Sequence, residues 1–315
     1  MDISVVIPTR NRAQKLRRAL DGLCAQSVSR AAFEVVVVDN ASTDETGATV
    51  AGYLNRAANW KYLRELKPGA AAARNCGIRA SQGEIVLFLD DDVIPDPQLV
   101  EEHGRIHREQ AAVVLGSVRF PWDGTGTAFR RTLAQHPELM QSFRFPDPAD
   151  VPFQHFYTCN VSLPRFFLSR SGVFDEQFQG SGFEDTDLGY RIARAGCRIV
   201  FNPRASAVHD CWMSYPEFAE KQRRNGRELS LLLNKHPQLR EALLPAAVAW
   251  RRRLAALAGR AAPVTGACFE WPAGPWSSLA LPVLARFCWL HLQSRLWAGF
   301  EEAERNARQE SEKPR

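Results

Sequence analysis

Short apolar runs alternate with amphipathic stretches along residues 1–118 of the chain. The runs are rich in β-branched residues, as buried strands usually are. We predict strands at Ile3–Pro8, Phe33–Val38, Tyr62–Leu66, Glu84–Leu89 and Ala112–Val118. Between the first two strands, Leu16, Leu20 and Leu23 recur at helical spacing, so one face of this segment should pack on a sheet. The pattern predicts an α/β fold with a mostly parallel central sheet flanked by helices, which binds ligands at the carboxyl ends of its strands.

The pattern changes twice after residue 118. A stretch rich in Pro, Trp, Phe and Asp follows, in which we predict loops and one short helix at Ala128–Met140. Regular elements then resume, and we predict a strand at Asn160–Leu163, a helix at Glu184–Ala195 ended by Gly196, and strands at Arg198–Asn202 and Ala205–His209. Helical stretches without strand signals follow Tyr215. We therefore predict an α/β domain over residues 1–212 and a C-terminal helical region over residues 213–315.

Composition narrows the class of protein. The chain has 315 residues, of which 45% are hydrophobic and 24% charged, and this excludes disordered, collagenous and disulfide-built chains. Seven cysteines, an odd number without a CxxC pair, favour a reducing compartment. The N-terminus lacks the pattern of a signal peptide, and the apolar stretch 278–300 carries Arg286, His291 and Arg295, which disfavour a membrane span. We therefore expect a cytoplasmic protein.

Three consecutive carboxylates, Asp90, Asp91 and Asp92, follow the strand that ends at Leu89. Like charges this close repel one another unless a positive group lies between them, and a divalent cation is the simplest such group. Side chains alternate along an extended segment, so Asp90 and Asp92 should point the same way and share a Mg²⁺ or Mn²⁺ site with phosphate oxygens. The alternatives are a solvated acidic loop or a cap for the helix near Asp96. We favour the metal, because a cap needs one carboxylate and three are present.

Two further polar segments adjoin predicted strands. Asp39 and Asn40 follow the second strand, where both side chains are able to hydrogen-bond the edge of a base. The alternative is local, with Ser42 or Thr43 capping the next helix. In GAAAARNCGI, Arg74 lies among alanines that allow close packing on the sheet, and a buried arginine needs an anionic partner. That partner is a phosphate or one of the aspartates, and the alternative is a structural salt bridge.

The segment GSGFEDTDLGYRIARAG leads from a glycine-rich turn into a helix that begins with Glu184 and Asp185. Acids are favoured in a first helical turn, so capping is one explanation. The glycines also let a substrate approach, and a carboxylate there is able to take a proton from a hydroxyl. The last predicted strand ends at His209. The alternatives for its imidazole are that it completes the ligand set of a metal, that it contacts a diphosphate or that it is purely structural.

Six segments of the chain resemble, in order and spacing, the inverting glycosyltransferases of family 2, which have the GT-A nucleotide-sugar-binding fold. The segments are SVVIPTRNR, VVVVDNASTD, GAAAARNCGI, FLDDDVIPDP, CNVSLPRFFLSRSGVFDE and GFEDTDLGYRIARAG. Each is weak alone, but six in this order across residues 3–210 are specific. The resemblance implies that residues 1–212 are a GT-A catalytic domain, with a nucleotide-sugar-binding half at 1–118 and an acceptor and catalytic half at 155–212.

The resemblance also implies roles for single residues. The residues implied around the nucleotide sugar are Pro8, Thr9, Arg10, Asp39, Asn40, Arg74, Asp90 and Asp91. Asp92 resembles the metal ligand of the Asp-x-Asp element, with Asp90 and His209 as further candidates for Mn²⁺ or Mg²⁺. Asp185 resembles the catalytic base that activates the acceptor hydroxyl, and Glu184 a group that helps to hold the acceptor.

Asn40 departs from the commonest family pattern, in which a second aspartate reads uracil. Relatives with asparagine here resemble deoxysugar transferases, so the resemblance leaves UDP-sugars and dTDP-sugars as donors. The implied acceptor is a saccharide or a lipid-linked molecule in surface polysaccharide or glycolipid synthesis. The alternatives are a nucleotide-sugar-binding protein without catalysis and a metal-dependent nucleotidyl or phosphoryl transferase.

Basic residues outnumber acidic ones between Tyr215 and Arg260, where leucines and Trp250 interleave with them. Such helices either lie on an anionic membrane surface, at the inner face of the cell membrane, or cap the catalytic domain with a solvated basic face. No nucleic-acid motif accompanies the charge, so we do not expect nucleic-acid binding.

Overall fold

The computed structural model describes residues 2–55, 59–120, 125–135, 145, 150–180, 182–243, 292–307 and 309. The chain divides into two compact units. The first unit comprises Met1–Pro121 with Gln141–Cys211, and the second comprises Trp122–Met140 with Trp212–Arg315. Every site residue proposed from the sequence lies in the first unit.

The strands of the first unit form one mixed sheet. Their bounds are β1 (Ile3–Thr9), β2 (Phe33–Asp39), β3 (Trp60–Arg64), β4 (Ile85–Leu89), β5 (Val93–Pro95), β6 (Val113–Arg119), β7 (Asn160–Pro164) and β8 (Ile199–His209). Within the described part of the chain the sheet has eight strands in the order β3-β2-β1-β4-β7-β6-β8-β5. Only β7 and β5 run opposite to the other six. The predicted, mostly parallel sheet is confirmed.

Helices cover the two faces of this sheet. The α-helices of both units are α1 (Ala13–Cys24), α2 (Thr46–Leu54), α3 (Ala70–Ala80), α4 (Leu99–Glu109), α5 (Ala128–Gln135), α6 (Arg165–Ser171), α7 (Glu184–Arg194), α8 (Tyr215–Lys235) and α9 (Arg240–Leu243). Successive residues of β1 point to opposite faces, as side chains of a strand do. Val5 and Ile7 share one apolar layer with Leu20 of α1, whereas Val6 packs in the other layer with Ala73 of α3.

Helix α3 lies unusually close to the sheet. A Cβ atom at Gly77 would lie 2.3 Å from Cγ1 of Val6, so only a glycine fits there. The alanines that precede it allow the same close approach along the first turns of the helix. This packing fixes the position of Arg74, one turn before Gly77, near the carboxyl ends of the strands.

The last strand differs from the sequence expectation. We predicted two strands, Arg198–Asn202 and Ala205–His209, but the structure has the single strand β8, because a bulge carries the chain through Pro203 and Arg204. The pairing register with β6 shifts at that point, between Gly116 and Ser117. The three-residue strand β5 and the seven-residue helix α6 were not predicted, since such short elements leave little periodicity to detect.

Helix boundaries also differ in detail. The alternative that we gave for this segment, a cap of α2 by Ser42 or Thr43, is not observed, because the helix begins at Thr46 and Asp44 Oδ1 accepts the Thr46 N–H at 3.1 Å. The Ser42 hydroxyl instead accepts the N–H of Asn11 at 2.9 Å. The helix predicted at residues 128–140 is observed over residues 128–135, and the remaining five residues lie outside the described ones.

The second unit contains α5, α8, α9 and a helical segment at residues 292–307. Phe129, Tyr215, Phe218 and Leu292 belong to one apolar cluster. Among the described residues, no helix is both long enough and apolar enough to span a bilayer. Most of the apolar stretch 278–300 and of the basic segment beyond residue 243 lies outside the described residues.

Ion pairs join α8 to the segment 292–307. Arg223 Nη1 lies 2.7 Å from one carboxylate oxygen of Glu302, and Arg227 Nη2 lies 2.9 Å from the other. Arg295 pairs with Glu220 at 3.2 Å. Part of the basic charge that we noted in this region is therefore paired within the unit.

Candidate active site

Three strands bring polar residues to one edge of the sheet. Thr9, the last residue of β1, pairs in register with Asp39, the last residue of β2. Strand β4 pairs with the other side of β1 and is followed directly by Asp90, Asp91 and Asp92. Two of the acidic segments singled out in the sequence therefore meet at the carboxyl edge, as expected for an open α/β sheet.

The three aspartates lie in a turn rather than in an extended segment. The Val93 N–H donates to the Asp90 carbonyl at 3.1 Å, which closes the turn. As a result the side chains separate, because Asp90 contacts Arg74 while Asp91 and Asp92 both contact Arg12. Our expectation that Asp90 and Asp92 point the same way is wrong for this reason.

Arg74 joins the two acidic regions of the site. Its Nη2 donates to Asp90 Oδ1 at 3.0 Å and its Nη1 donates to Glu184 Oε1 at 2.9 Å. Burial opposes the charge of the guanidinium, but the facing carboxylates of Asp90 and Glu184 prevail and raise its pKa. The anionic partner predicted for Arg74 is thus a pair of carboxylates.

Among the described residues, the ion pairs of Arg74 do not use every polar atom of Arg74 and Glu184. Arg74 and Glu184 are 4% and 3% exposed. Within the described part of the chain, Arg74 Nε and Glu184 Oε2 have no hydrogen-bond partner. Buried polar atoms are nearly always paired, so these two atoms are candidates for hydrogen bonds to a bound ligand.

Asp185 and Asp187 begin the same helix, α7, but differ in their surroundings. Burial, followed by repulsion from Glu184, raises the pKa of Asp185 well above that of an ordinary aspartate. Its Oδ1 accepts the N–H of the adjacent Thr186 at 2.7 Å and, more weakly, the Thr186 hydroxyl. Asp187 is instead fixed by an ion pair of 2.7 Å with Arg191. The pKa of Asp185 is therefore raised, whereas Asp187 is held in an ion pair.

Arg12 neutralises the other two aspartates. Its Nη1 lies 3.0 Å from Asp91 Oδ1 and 3.0 Å from Asp92 Oδ2, and Lys15 Nζ lies 3.7 Å from the same oxygen of Asp92. Thr9 donates its hydroxyl to Asp91 Oδ2 at 2.7 Å. Burial nevertheless raises the pKa of Asp91 to about 6, which shows how strongly this edge of the sheet excludes solvent.

His209 contacts the oxygen of Asp92 that Arg12 leaves open. Its Nε2 lies 3.2 Å from Asp92 Oδ1. Burial opposes the charged imidazole, but hydrogen bonding to Asp92 and to Cys211 prevails and raises the pKa of His209 to about 9. Asp92, His209 and Cys211 place ligand atoms within 4.8 Å of one another. A carboxylate beside an imidazole fits a divalent transition metal such as Mn²⁺ better than Mg²⁺, which prefers oxygen ligands only.

Asp39 ends β2 and Asn40 follows it, and the side chains of both form hydrogen bonds with other residues of the protein. Asp39 accepts the Tyr62 hydroxyl at 2.5 Å and the Ser42 N–H at 2.7 Å. Asn40 donates to the carbonyls of Glu65 and Lys67 at 3.0 and 2.7 Å and accepts the Gly69 N–H at 2.9 Å. Both amide hydrogens of Asn40 are used in this way, so its side chain shapes the loop between β3 and α3 and has no donor left for a base.

Pro8 and Arg10, which we expected around the nucleotide sugar, lie beside the hydrogen bonds of Asp39 and Asn40 without taking part in them. Pro8 is a half-buried residue of β1, and Arg10 is exposed in the bend that follows. Within the described part of the chain, the Arg10 side chain has neither an ion pair nor a hydrogen bond. Sequence reasoning chose Arg10 and missed Arg12, although the motif TRNR contains both.

Cys159 is a second residue that sequence reasoning missed. Its carbonyl accepts the Asp90 N–H at 3.4 Å, so it lies beside the turn that holds the three aspartates. Burial and then the charges of Asp90, Asp185 and Asp92 raise the pKa of the thiol, which keeps it protonated. It begins the segment CNVSLPRFFLSRSGVFDE, but its position beside the aspartates could not be predicted, because that position depends on the pairing of β7 with β4.

Comparisons with known sequences identify relatives of this chain. The model of "Glycosyl transferase family 2" matches residues 4–170. The chain is 32% identical to validoxylamine A glucosyltransferase of Streptomyces hygroscopicus subsp. jinggangensis over 276 residues, covering 75% of this chain and 61% of that protein. It is 30% identical to the chondroitin synthase of Escherichia coli, covering 66% of this chain and 34% of that protein. The chain thus spans less than two thirds of the length of these relatives.

Solved structures share the fold. The mannosyltransferase PcManGT from Pyrobaculum calidifontis, in complex with GDP-Man and Mn²⁺, matches 96% of this chain and 87% of its own with a TM-score of 0.66 at 22% identity. Residues 1–349 of S. aureus TarS in complex with UDP match 98% of this chain and 92% of their own with a TM-score of 0.53 at 20% identity. The family match covers more than half of the chain and includes both β1 and the three aspartates, and the chain belongs to glycosyltransferase family 2.

Proposed function

We propose that the protein is a metal-dependent inverting glycosyltransferase that moves a sugar from a nucleoside diphosphate sugar to a saccharide or lipid-linked acceptor. The observation that carries this proposal is the buried chain Asp90, Arg74 and Glu184, which joins two acidic regions with different surroundings. One region contains the carboxylate and imidazole ligands suited to a metal, and the other contains a carboxyl group with a raised pKa. A reaction with a charged leaving group and an acceptor hydroxyl needs both.

The donor side is the carboxyl edge of β1, β2 and β4. We propose that Pro8, Thr9, Arg10 and the loop that Asn40 shapes surround the nucleotide, with Asp90 or Asp91 near the ribose. Because the Asn40 side chain has its amide hydrogens engaged, base contacts in this proposal come from backbone groups of that loop. UDP-sugars and dTDP-sugars are the proposed donors, and UDP is bound in one structure of the same fold.

Asp92 and His209 are the proposed protein ligands of the metal, and Asp90 is assigned to Arg74 instead. Mn²⁺ is our first candidate because of the imidazole, and it is present in a structure of the same fold. When bound, the metal neutralises negative charge on the departing nucleoside diphosphate. Arg12, which already contacts Asp92, supplies a second positive charge on the same side.

Asp185 is the proposed base. It takes the proton of the acceptor hydroxyl while that oxygen bonds to the anomeric carbon and the bond to the diphosphate oxygen breaks, which inverts the configuration. A base works best when its pKa lies near the working pH, and the raised pKa of Asp185 meets this condition. The unpaired Glu184 Oε2 accepts a hydrogen bond from another hydroxyl of the acceptor.

The cellular setting is proposed from the cysteines and the basic residues of the C-terminal region. We propose action in the cytoplasm at the inner face of the cell membrane, in surface polysaccharide or glycolipid synthesis, with residues 1–212 as catalytic domain. Free cysteines at five described positions fit a reducing compartment. Arg223 and Arg227 are paired with Glu302, so membrane attraction would come from the other basic residues of residues 213–315.

A donor screen tests the proposal. The purified chain is incubated with UDP-, dTDP- and GDP-sugars in the presence of Mn²⁺ or Mg²⁺, and thermal stabilisation and slow sugar release are measured. We expect stabilisation by one nucleotide class and release of nucleoside diphosphate. Absence of binding with either metal would overturn the proposal, and release of pyrophosphate would favour a nucleotidyl transferase.

A further inference from the structure

A thiol stands beside the proposed metal ligands Asp92 and His209. The carboxylate oxygen of Asp92, an imidazole nitrogen of His209 and Sγ of Cys211 all lie within 4.8 Å of one another. Asp92 and Cys211 are 3% and 5% exposed, and the His209 side chain is 12% exposed. Three potential ligands of different chemistry thus converge in a nearly solvent-free place.

The sheet holds these groups in position. Val93 pairs in register with His209, and the Asp210 N–H donates to the Asp92 carbonyl at 2.8 Å. Asp92 and Cys211 therefore lie just beyond Val93 and His209, the last residue pair between β5 and β8. Arg18 forms an ion pair with the Asp210 side chain, which anchors the segment between His209 and Cys211. The three donor groups are placed by backbone pairing and not by a free loop.

Their spacing suits a single ion. Zinc-like ions bind oxygen and nitrogen ligands at about 2.0–2.2 Å and thiolate sulfur at about 2.3 Å, so two ligands of one ion lie roughly 3–4 Å apart. Three ligand atoms within 4.8 Å reach such an arrangement through small side-chain rotations. Arg12 contacts Oδ2 of Asp92, and this leaves Oδ1 facing His209 for the ion.

We infer that Cys211 is a third protein ligand of this metal site, and that the site binds thiophilic divalent ions in preference to Mg²⁺. This inference rests on the proposed metal site. It adds Cys211 to the ligands of that site and names the class of ion that the site prefers. On binding, the thiol loses its proton to solvent as the metal–sulfur bond forms. Thiolate is a soft ligand that favours Zn²⁺, Cd²⁺ and Co²⁺, whereas Mg²⁺ prefers oxygen and keeps its waters.

Cys159 shows that a cysteine close to the aspartates does not for that reason belong to the group of potential metal ligands. Its thiol also lies near Asp90 and Asp92, but burial and these charges raise its pKa, and it is not part of the three-ligand group. Cys211 differs because an imidazole is its neighbour and hydrogen-bonds to it.

Cobalt absorption tests the inference with the metal alone. The full chain is titrated with Co²⁺ in the absence of nucleotide, and the thiolate-to-cobalt charge-transfer band in the near ultraviolet is recorded. We expect the band in the wild type at one equivalent, its loss in Cys211→Ser and its retention in Cys197→Ser. Co²⁺ binding without the band in the wild type, or an equal band in Cys211→Ser, would overturn the inference.

Metal preference gives a second measurement. By calorimetry, Cys211→Ser should weaken Cd²⁺ binding by about tenfold or more and leave Mg²⁺ binding nearly unchanged. If Cys211→Ser does not fold, X-ray absorption of the wild type with one equivalent of Zn²⁺ replaces it, and one sulfur neighbour at about 2.3 Å is expected. Absence of sulfur from the metal shell would contradict the inference.

The two proposals fail separately. Sugar transfer by a wild-type protein that lacks the thiolate band would sustain the proposed function and reject Cys211 as a ligand. A thiolate band in a protein that binds no nucleotide sugar would do the reverse.

Discussion

Arg74 donates from Nη1 to Glu184 Oε1 at 2.9 Å, although 110 residues separate the two in sequence. The same guanidinium contacts Asp90, so one buried cation holds carboxylates from two distant segments together. A buried ion pair adds little net stability, but removal of one partner leaves an uncompensated charge in the interior. The contact therefore determines how the site is assembled.

Replacement of Arg74 should damage both stability and activity. Arg74→Met leaves Asp90 and Glu184 without their cation, and we expect a loss of about 3–5 kcal/mol in the free energy of unfolding. Urea denaturation measures this loss. Arg79→Met is the matched control on the same helix, because its side chain is 64% exposed and pairs with Glu65 only at 3.7 Å. A loss for Arg74→Met no larger than that of the control would contradict the structural role.

Asp185 and Asp187 allow a comparison within one helical turn. Asp185→Asn removes the proposed base and should lower the transfer rate by about 10²- to 10⁴-fold. It should not lower the free energy of unfolding, because ionisation of this carboxyl group is opposed by burial. Asp187→Asn should instead lower the free energy of unfolding by about 1–3 kcal/mol, because it breaks the ion pair with Arg191. Steady-state kinetics and denaturation of both variants separate the roles. Full transfer activity in Asp185→Asn would rule out Asp185 as the base.

The pH profile should report the repulsion between Glu184 and Asp185. Since the base must be ionised to accept a proton, kcat/KM should rise with pH through the raised pKa of Asp185. Glu184→Gln removes a negative neighbour, so the pKa of Asp185 falls and the acid limb moves to lower pH. An acid limb that stays in place in Glu184→Gln would exclude Asp185 as the titrating base.

Two histidines, one buried and one half-buried, should make the fold sensitive to acid. His103 contacts Asn160 at 2.9 Å and Ser162 at 2.7 Å, and His107 contacts the same Ser162 hydroxyl at 2.7 Å. Burial lowers their pKa values to about 4 and about 3. The unfolded chain, with ordinary histidines near pH 6.5, binds protons first as the pH falls, so stability declines below that pH.

The expected slope is about 1.4 kcal/mol per pH unit for each histidine between its unfolded and folded pKa values. Denaturation curves at a series of pH values measure it. His103→Gln keeps a side chain able to hydrogen-bond and should reduce the slope by about half. A slope that is equal in wild type and variant would show that His103 does not contribute.

Glycines set the crossing of α8 with the helical segment 292–307. A Cβ at Gly226 would lie 1.8 Å from the Leu296 carbonyl oxygen, and one at Gly299 would lie 1.8 Å from that of Arg223. Gly226→Ala should therefore lower the melting temperature of the protein. Gly52→Ala in α2 is the control, since among the described residues no atom outside the backbone of its own helix lies within 4 Å of the added Cβ, and it should be neutral or stabilising by about 0.5–1 kcal/mol. Equal melting temperatures of the two variants would contradict this packing.

The sequence by itself determined most of the elements and the edge where the site lies. The five strands predicted over residues 1–118 agree with β1 to β4 and β6 within a few residues, because buried parallel strands form continuous apolar runs. Motif order also indicated the family, since six segments that resemble it follow one another in order across residues 3–210. Local pattern carries this information because it is written in adjacent residues.

The tertiary structure decided which side chains meet. That Arg74 faces Glu184, that Arg12 rather than Arg10 reaches the aspartates, and that Cys211 stands beside His209 all depend on strand pairing and helix packing. A turn at Asp90–Val93 also separated carboxylates that an extended segment would have aligned. Contacts between residues far apart in sequence leave no periodic trace along the chain, and burial and charge act only once the sheet has brought them together.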